Sequence, residues 1–422
     1  MKKGLQILIA LVVCAFIQAG ASAQSSEFAG EIPAETTTSA TTNPPNSARS
    51  LTAAELRSKL SESREALKSG AELSDGSHVT LAVLDPDTSE LQLLTMSKDS
   101  FLTKGASLSV TSRKGRALRV TVVRANGVNT AVRVNDSITG KELLPLTVAY
   151  GIVKGGRLTE VAYYSSVHPA LLSAEVATAG QSYIRTMLDR AAADLAAKGV
   201  QVPSDIVDIA EHLCVVEHTD HKRFMAEDHS ALLPEIVSLY ALNQGNTFRY
   251  SVSTAGAGGM IQMIPRTYDA IRQQHSTVPL QSDFVNGMRD HANALEAMLL
   301  YMNDTWTKLA ESSEVQDALR TGMATKPELL AAGYNSNPVR LPAYLKNGGT
   351  NWRTLIPAET QMYLAIYSAV DRTFDFANTQ GKVNAANEDE AKKETPSHGP
   401  RVESLVTLVN KMFTSSLLAR MF

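Results

Sequence analysis

The spacing of hydrophobic residues changes twice along this chain of 422 residues. Three leucines at helical spacing predict a helix over about 52–68. From 77 to 166, short runs rich in Val, Leu and Thr are separated by turn residues, a pattern typical of antiparallel hairpins. Helical spacing returns near residue 169 and continues through most of the remaining chain. The pattern therefore predicts a helix, then a β segment, then a mainly α-helical segment.

The β segment is predicted to form one small domain built from three hairpins. HVTLAVL pairs with ELQLLTM around Asp85-Pro86-Asp87-Thr88, RALRVTVVRA with TAVRV across Asn126-Gly127, and LPLTVAYGIV with LTEVAYY across Gly155-Gly156. None of these strands carries a catalytic constellation. We expect a structural or targeting role, such as contact with a protein partner, while the sequence leaves glycan binding open.

Three helices are predicted around a glycine-rich stretch. The first spans about 204–217 with Ser204 as its N-cap, and the second spans about 234–244 and begins at Pro234, a favoured first helical residue. A long amphipathic helix over about 283–304 follows the stretch. Its apolar stripe carries methionines, which is typical of a protein core rather than of a cofactor site.

The glycine-rich stretch reads STAGAGGMIQMIPRT, from Ser253 to Thr267. Its glycines allow a sharp turn of the backbone or a close approach of a ligand. The run MIQMI is too short for its periodicity to separate a strand from a buried helix. Pro265 either ends that run or opens the next helix. By itself, the stretch is as compatible with a purely structural role, a tight turn leading into a buried helix, as with a ligand-binding role.

The N-terminus has the pattern of a secretory signal peptide over residues 1–23. Lys2 and Lys3 precede an apolar run, and Ala21-Ser22-Ala23 is a typical cleavage site. An uncleaved membrane anchor is the alternative interpretation of the same run. We expect an exported protein of the periplasm or cell envelope, with no stable membrane span after signal cleavage.

Further low-complexity segments lie near both ends. Residues 24–50 are rich in Ser, Thr, Ala and Pro and are predicted to be a disordered spacer, because they cannot bury a core. Residues 376–401 are predicted to be a charged linker, followed by an amphipathic helix over 402–422. Cys14 lies in the signal peptide, so Cys214 would have no partner for an intramolecular disulfide.

Composition excludes one class of function. The chain is 44% hydrophobic and 20% charged, as is ordinary for a globular protein, and its formal net charge is −3. Removing Lys2 and Lys3 with the signal peptide leaves 38 basic and 43 acidic residues, a formal charge of −5. Because nucleic-acid binding requires a basic face, we expect no nucleic-acid partner.

Three ordered blocks indicate a family. They are Ser253 to Thr267, then GYNSNP at 333–338, then Glu359-Thr360 with Tyr363. Together they resemble the soluble lytic transglycosylase domain of the goose-type-lysozyme-like superfamily, whose signatures are S-x-x-G-A-x-G-L-M-Q-x-M-P-x-T, A-Y-N-x-G-P and E-T-x-x-Y-V. The resemblance covers about 204–375.

The resemblance implies a mainly α lysozyme-like domain over 204–375. Together with the small antiparallel β domain that the hydrophobic pattern predicts before it, the expected fold class is an α+β multidomain chain. The predicted order of the folded parts is a short helix (51–76), the β domain (77–166), a helical connector (167–203) and the lytic-transglycosylase-like domain (204–375). The family cleaves peptidoglycan glycan strands between N-acetylmuramic acid and N-acetylglucosamine, gives 1,6-anhydro ends and needs no cofactor.

The resemblance also implies where the catalytic acid should be. Glycosidic cleavage requires a carboxylic acid that protonates the departing oxygen. The family's single Glu ends the helix before the Ser-x-x-Gly-Ala block, and this position falls on Gln244, with Gly245 at the position of the following Ser. Gln has no acidic proton to give. The alternative function is therefore a non-catalytic peptidoglycan-binding or scaffold protein.

Glu217 is a second candidate for the acid. Helical spacing puts it on the same apolar stripe as Ile206, Ala210 and Leu213. Desolvation there would raise the pKa of its carboxyl group, as a general acid requires. The alternative is a purely structural glutamate at a helix end, which bonds to the backbone or to a neighbour such as His218.

The remaining site residues follow from the resemblance. Gln262 matches an amide that lines the glycan cleft, and Met260 matches its wall. Tyr334 and Asn335 match the pair that faces the sugar next to the cleaved bond. Ser253 bonds the N-acetyl group or only caps the turn. Glu359 with Thr360 is also able to begin the last helix as a capping element, and we expect a structural role for Glu359.

Two further interpretations concern the segment HLCVVEHTDHKRF and its surroundings. Its histidines and acids suggest a metal site, but their spacing matches no usual zinc signature, so no metal is expected. A hydrolytic muramidase on the same fold would use water, with Glu227, Asp228 or Asp220 as the base.

Overall fold

The computed structural model describes residues 51–70, 76–374 and 376. All of them belong to one compact unit that begins at Arg49. Over these ranges the chain has mixed α/β content, with seven strands in an antiparallel, nearly closed barrel and thirteen α-helices. The predicted signal peptide, spacer, charged linker and C-terminal helix lie outside the described residues. No helix in the described ranges has the length and apolar character needed to cross a membrane.

The seven strands lie between residues 78 and 164. They are β1 His78–Leu84, β2 Leu91–Ser97, β3 Ser107–Thr111, β4 Ala117–Arg124, β5 Ala131–Asp136, β6 Glu142–Lys154 and β7 Arg157–Tyr164. The three predicted hairpins are confirmed as β1–β2, β4–β5 and β6–β7, each antiparallel. Strand β3 was not predicted, and it pairs with β4.

Long strand β6 organises the sheet. It pairs with β1 along one edge, and along the other edge with β5 at its start and β7 at its end. The resulting order is β2-β1-β6-β5-β4-β3. A backbone bond from Arg113 N to Leu93 O, 3.1 Å long, links the ends of the sheet. The interior holds alternate residues of every strand, as expected for a barrel-like sheet.

Helices occupy the rest of the chain. They are α1 Ala53–Gly70, α2 Lys98–Phe101, α3 Ala174–Ala197, α4 Ser204–Val216, α5 His221–Ala226, α6 His229–Asn243, α7 Pro265–Gln274, α8 Phe284–Arg289, α9 His291–Ala310, α10 Ser313–Arg320, α11 Lys326–Asn335, α12 Leu341–Gly348 and α13 Ala358–Thr373. Helix α1 confirms the helix predicted over 52–68. Helix α7 begins at Pro265, so this proline opens a helix.

The structure corrects three predicted helix boundaries. Ser204 is the first residue of α4 and not its N-cap, which is Pro203. Helix α6 begins five residues before Pro234, because Asp228 accepts a bond from Ser230 N and caps the helix there. The predicted helix over 283–304 is two helices, since Asp290 is extended between them and caps α9.

Helix α6 is buried between the other helices and the sheet. Beyond its first turn, every residue from Leu232 to Asn243 is buried or half-buried, which is the pattern of a helix without a solvated face. On one side it crosses α3 so closely that a Cβ on Gly180 would lie 1.8 Å from Val237 O. On the other side Leu239 belongs to the core of the sheet. Helix α6 therefore joins the two parts of the fold.

Polar contacts also connect the sheet to the helices. The Asn243 amide bonds both the N–H and the C=O of Ser165, at 2.7 and 2.8 Å. Glu235 on α6 forms ion pairs with Arg124 of β4 and with Arg223. The sheet and the helices thus share an extensive buried interface, and the division into two domains near residue 166 stays a prediction.

Candidate active site

The candidate site forms where the C-terminus of α4 meets α11, α13 and the glycine-rich stretch. Helix α4 reads SDIVDIAEHLCVV and is buried along almost its whole length. Glu217 is its C-cap residue, and its N–H still bonds Leu213 O at 3.0 Å. Asp220 caps the next helix three residues later. The chain turns between these caps, and the Glu217 side chain is held half-buried at the turn.

Among the residues that the structure describes, one group donates a hydrogen bond to the Glu217 carboxyl group. Tyr363 on α13 donates its hydroxyl to Glu217 Oε1 over 2.7 Å. Burial raises the pKa of Glu217 to about 8, and the nearby negative charge of Glu359 acts in the same direction, while the bond from Tyr363 acts against it. At neutral pH the carboxyl group therefore keeps its proton. The partner of Glu217 is Tyr363 and not His218.

A second tyrosine connects the site to the glycine-rich stretch. Tyr334 on α11 is half-buried and donates its hydroxyl to Ile261 O over 2.8 Å. Tyr301 packs edge-on against it, with ring centroids 5.6 Å apart. Burial and the neighbouring Glu217 raise the pKa values of Tyr334 and Tyr363, so both hydroxyl groups stay protonated.

The run MIQMI is neither a strand nor an α-helix. Residues Gly259–Ile261 form one 3₁₀ turn, and Gln262 follows in the left-handed conformation with φ 45°. Gly259 has φ 69°, and a Cβ at this position would lie 2.2 Å from Met288 O, so only glycine fits. Glycine at position 259 therefore allows α8 to pack closely against the turn.

Gln262 is fixed by its own turn. Its amide nitrogen donates to Gly259 O at 2.8 Å and to Ser251 Oγ at 3.3 Å. With both amide hydrogens in use, the nitrogen is oriented and the amide oxygen has no hydrogen-bond partner among the described residues. The half-buried amide therefore presents an acceptor.

Two other predicted residues of this stretch have structural contacts. Ser253 Oγ accepts a bond from Ala257 N at 3.0 Å, so the hydroxyl group caps the turn. The Met260 side chain is fully buried in the helical core, and only its carbonyl group contacts His218, at 3.0 Å. Contact of either residue with a ligand stays a prediction.

The second and third blocks are joined directly. Thr360 on α13 donates its hydroxyl to Asn335 Oδ1 at the end of α11, over 2.8 Å. The Asn335 amide nitrogen has no partner among the described residues. Glu359 is exposed in the first turn of α13, and the N-cap residue Pro357 makes no side-chain capping bond. The three sequence blocks therefore meet around Glu217.

Gln244 is not part of this group. It follows α6, next to Asn243, whose side chain bonds the backbone of Ser165 directly after β7. The Gln244 side chain makes no hydrogen bond with any described residue, and its backbone is strained, with φ 49° and ψ −125°. Of the two candidate positions for the acid, that of Glu217 lies with Tyr334 and Tyr363.

Asp220 and His212 of the segment, and the two acids that follow it, have structural partners. Asp220 caps α5 through Arg223 N, Asp228 caps α6, and Glu227 pairs with Arg223. His212 packs on Tyr367 and Phe376. Within 51–70, 76–374 and 376, no three His, Cys, Asp or Glu side chains form a cluster suited to a metal ion.

Comparison of the chain with known protein families, curated proteins and solved structures finds no match. The site therefore depends on its own geometry. It combines a carboxylic acid that is protonated at neutral pH, a phenol hydrogen-bonded to it, and amide groups with unused bonding capacity on neighbouring elements. Such a set can give a proton to a bound ligand and orient polar groups such as hydroxyl and acetamido groups.

Sequence reasoning missed Tyr363 as the partner of Glu217. It also missed two contacts of His218, whose ring stacks on Phe248 with centroids 3.4 Å apart and whose Nε2 bonds Met260 O. The third block carries a signal for Tyr363, because E-T-x-x-Y puts the tyrosine one helical turn after Glu359, on the same face. Nothing in the local sequence around Phe248 indicates a contact with His218.

Proposed function

We propose that this protein is an exported lytic transglycosylase of the periplasm or cell envelope that cuts peptidoglycan glycan strands between N-acetylmuramic acid and N-acetylglucosamine. Glu217 is its general acid. The observation that carries this proposal is the Glu217 carboxyl group, which accepts a hydrogen bond from Tyr363 among the three sequence blocks and whose pKa is raised to about 8 by burial.

The reaction proceeds in two steps around Glu217. The carboxyl proton passes to the departing glycosidic oxygen, while the acetamido group of the N-acetylmuramic acid stabilises the developing positive charge at its own ring. The resulting Glu217 carboxylate then takes the proton of the 6-hydroxyl group, whose oxygen bonds to the anomeric carbon. The product is a 1,6-anhydro sugar, formed without water, and Glu217 regains its proton. Tyr363 holds the carboxyl group between the two steps.

Gln262, Tyr334 and Asn335 are the proposed glycan contacts. The free acceptor of Gln262 and the free donor of Asn335 suit sugar hydroxyl and acetamido groups. Tyr334 offers part of its ring as a surface for a sugar face. No cofactor enters the reaction, since proton transfer and the substrate's own groups supply the chemistry.

The hydrolytic alternative has less support. Asp220, Glu227 and Asp228, the three carboxylates considered as a base for water, are each occupied as a helix cap or in an ion pair. The second candidate function is a non-catalytic peptidoglycan-binding or scaffold protein. It is favoured by Gln244, the position on which the family's acid falls in the sequence.

The test is digestion of purified peptidoglycan sacculi with protein expressed from the full chain, followed by mass spectrometry of the released muropeptides. Wild-type protein is expected to release fragments lighter by one water than the hydrolytic products, and Glu217→Gln is expected to release none. Gln244→Glu is the matched control and is expected to behave like wild type.

Each other outcome contradicts part of the proposal. Reducing-end products would indicate a muramidase. An unimpaired Glu217→Gln variant would exclude Glu217 as the acid. Binding to sacculi without release, together with activity gained by Gln244→Glu, would establish the scaffold function.

A further inference from the structure

His218 makes two contacts that fix the end of α4 against the glycine-rich stretch. Its ring lies flat on Phe248, with centroids 3.4 Å apart and planes 4° from parallel. Its Nε2 lies 3.0 Å from Met260 O. A carbonyl oxygen only accepts, so Nε2 carries the proton and donates it.

The neutral form of His218 is the one that the surroundings favour. Burial lowers its pKa to about 3, and the nearby His291 acts in the same direction. The ring is therefore uncharged across the range in which Glu217 titrates. It supplies a fixed donor next to the acid without adding a charge.

The Met260 contact leads directly to the proposed glycan-binding residues. Met260 lies in the 3₁₀ turn of Gly259–Ile261, and the next carbonyl group, of Ile261, accepts the Tyr334 hydroxyl. Gln262 follows at once. The imidazole of His218 thus connects the residue next to the acid with the turn that carries the glycan contacts.

Phe248 is itself held in an uncommon conformation. Its φ is 53°, in the left-handed region that a residue with a bulky side chain rarely adopts. Such strain persists only where the surroundings determine it, and it is frequent at functional sites. Here the strained backbone brings the phenyl ring onto His218.

We infer that His218 is a positioning residue of the proposed reaction, which holds Glu217 beside the glycine-rich turn and keeps water from its carboxyl group. It acts through Glu217 and does not itself transfer a proton. This inference rests on the proposed function for its kinetic consequences, but its effect on Glu217 is measurable without any substrate.

Loss of the His218 contacts has a specific expected consequence. Water would reach the carboxyl group, the desolvation that raises the pKa of Glu217 would diminish, and this pKa would fall. The other titratable groups that face Glu217 come from each neighbouring helix: Cys214 on α4, Tyr240 on α6, Tyr334 on α11, and Tyr363 and Glu359 on α13. None of them is removed by a change at His218.

The chain offers variants that separate the two contacts. His218→Phe keeps a flat ring for Phe248 and removes the donor. His218→Gln removes the ring and keeps a donor, because its amide nitrogen is as many bonds from Cα as Nε2 of histidine.

A closely matched control lies at the start of α6. There His229 stacks on Phe224 with centroids 3.9 Å apart and bonds Phe224 O through Nε2 at 2.8 Å. His229→Phe therefore removes the same kind of contact from residues that are not part of the candidate site.

The first readout is the pKa of Glu217, measured by an NMR titration of protein with ¹³C-labelled glutamate carboxyl groups. The Glu217 signal is identified as the one that is missing in Glu217→Gln. In His218→Phe we expect the pKa of Glu217 to fall by about one unit. His218→Gln is expected to restore most of the wild-type value, and His229→Phe to leave it unchanged. An unchanged pKa of Glu217 in His218→Phe would overturn the inference, and so would an equal fall in His229→Phe.

The second readout is activity on sacculi. His218→Phe is expected to lower kcat by about tenfold or more with little change in KM, because a small misplacement of a catalytic group has this effect. The alkaline limb of its pH profile moves down with the pKa of Glu217. Absence of release by the wild-type protein would refute the proposed function alone, since the NMR titration would still decide the role of His218.

Discussion

Replacement of Glu217 by Gln is expected to stabilise the protein at alkaline pH and to leave its stability unchanged at acid pH. The folded protein raises the pKa of this carboxyl group from 4.5 to about 8. Between these values the folded state keeps a proton that the unfolded chain has lost. The free energy of unfolding therefore falls as the pH rises through this window. The stability that the protonated Glu217 carboxyl group contributes is fully present below pH 4.5 and is lost above pH 8.

The magnitude follows from the displaced pKa. One pKa unit corresponds to about 1.4 kcal/mol, so the change from 4.5 to about 8 has an upper value of about 5 kcal/mol. Glu217 as a residue keeps some solvent exposure, and solvent screening reduces this value to roughly 2–3 kcal/mol. Gln has nearly the same shape, still accepts the bond from Tyr363 and carries no charge at any of these pH values. For a chain of this size the gain corresponds to a rise in Tm of about 5 °C at pH 9.

The assay is thermal or urea unfolding of wild type and Glu217→Gln at several values between pH 5 and 9. Comparison with the variant is necessary because burial also raises the pKa of Glu211, so the wild type alone reports both groups. Glu227→Gln is the control, since Glu227 is exposed and paired with Arg223. A stability difference between wild type and Glu217→Gln that is the same at pH 5 and pH 9 would refute the reasoning.

Three further predictions concern backbone positions and are measured by urea unfolding. Gln244→Gly is expected to raise the free energy of unfolding by about 1 kcal/mol, because glycine adopts φ 49° and ψ −125° without strain; a loss of stability would contradict this. Gly180→Ala is expected to lower it by about 3 kcal/mol through a clash with Val237 O, and a neutral effect would mean that α3 and α6 separate easily. Gly259→Ala is expected to cost about 2–4 kcal/mol and to abolish activity, since its Cβ would meet Met288 O; full activity would show that the turn tolerates displacement.

Local patterns were informative where short-range geometry decides the outcome. The hairpins β1–β2, β4–β5 and β6–β7 are confirmed because each pairs segments joined by a short turn. Strand β3 escaped prediction since its run SLSVT is short and mostly polar, and its position depends on pairing with β4. The helix boundaries near Pro234 and Asp290 were wrong because side-chain caps, rather than the hydrophobic pattern, set where those helices begin.

In the candidate site, too, local patterns predicted some features and long-range packing decided the others. The apolar stripe predicted that Glu217 would be desolvated, and burial is the main cause that raises the pKa of its carboxyl group. The sequence blocks supplied Tyr334 and Tyr363 but did not indicate which glutamate they surround. That was decided by the packing of α4 against α11 and α13, which brings Tyr363, 146 residues away in the chain, onto Glu217.

The sequence by itself determined the order of a helix, a β segment and a helical segment, the three family-like blocks, and the burial of Glu217. These follow from spacing along one element, where residues a few positions apart must share a face. Only the tertiary structure decided that Glu217 and not Gln244 lies among the blocks, that the sheet packs on α6, and that His218 bonds the glycine-rich turn. Those contacts join residues that are distant in the chain, and their geometry depends on how all the packed elements fit together.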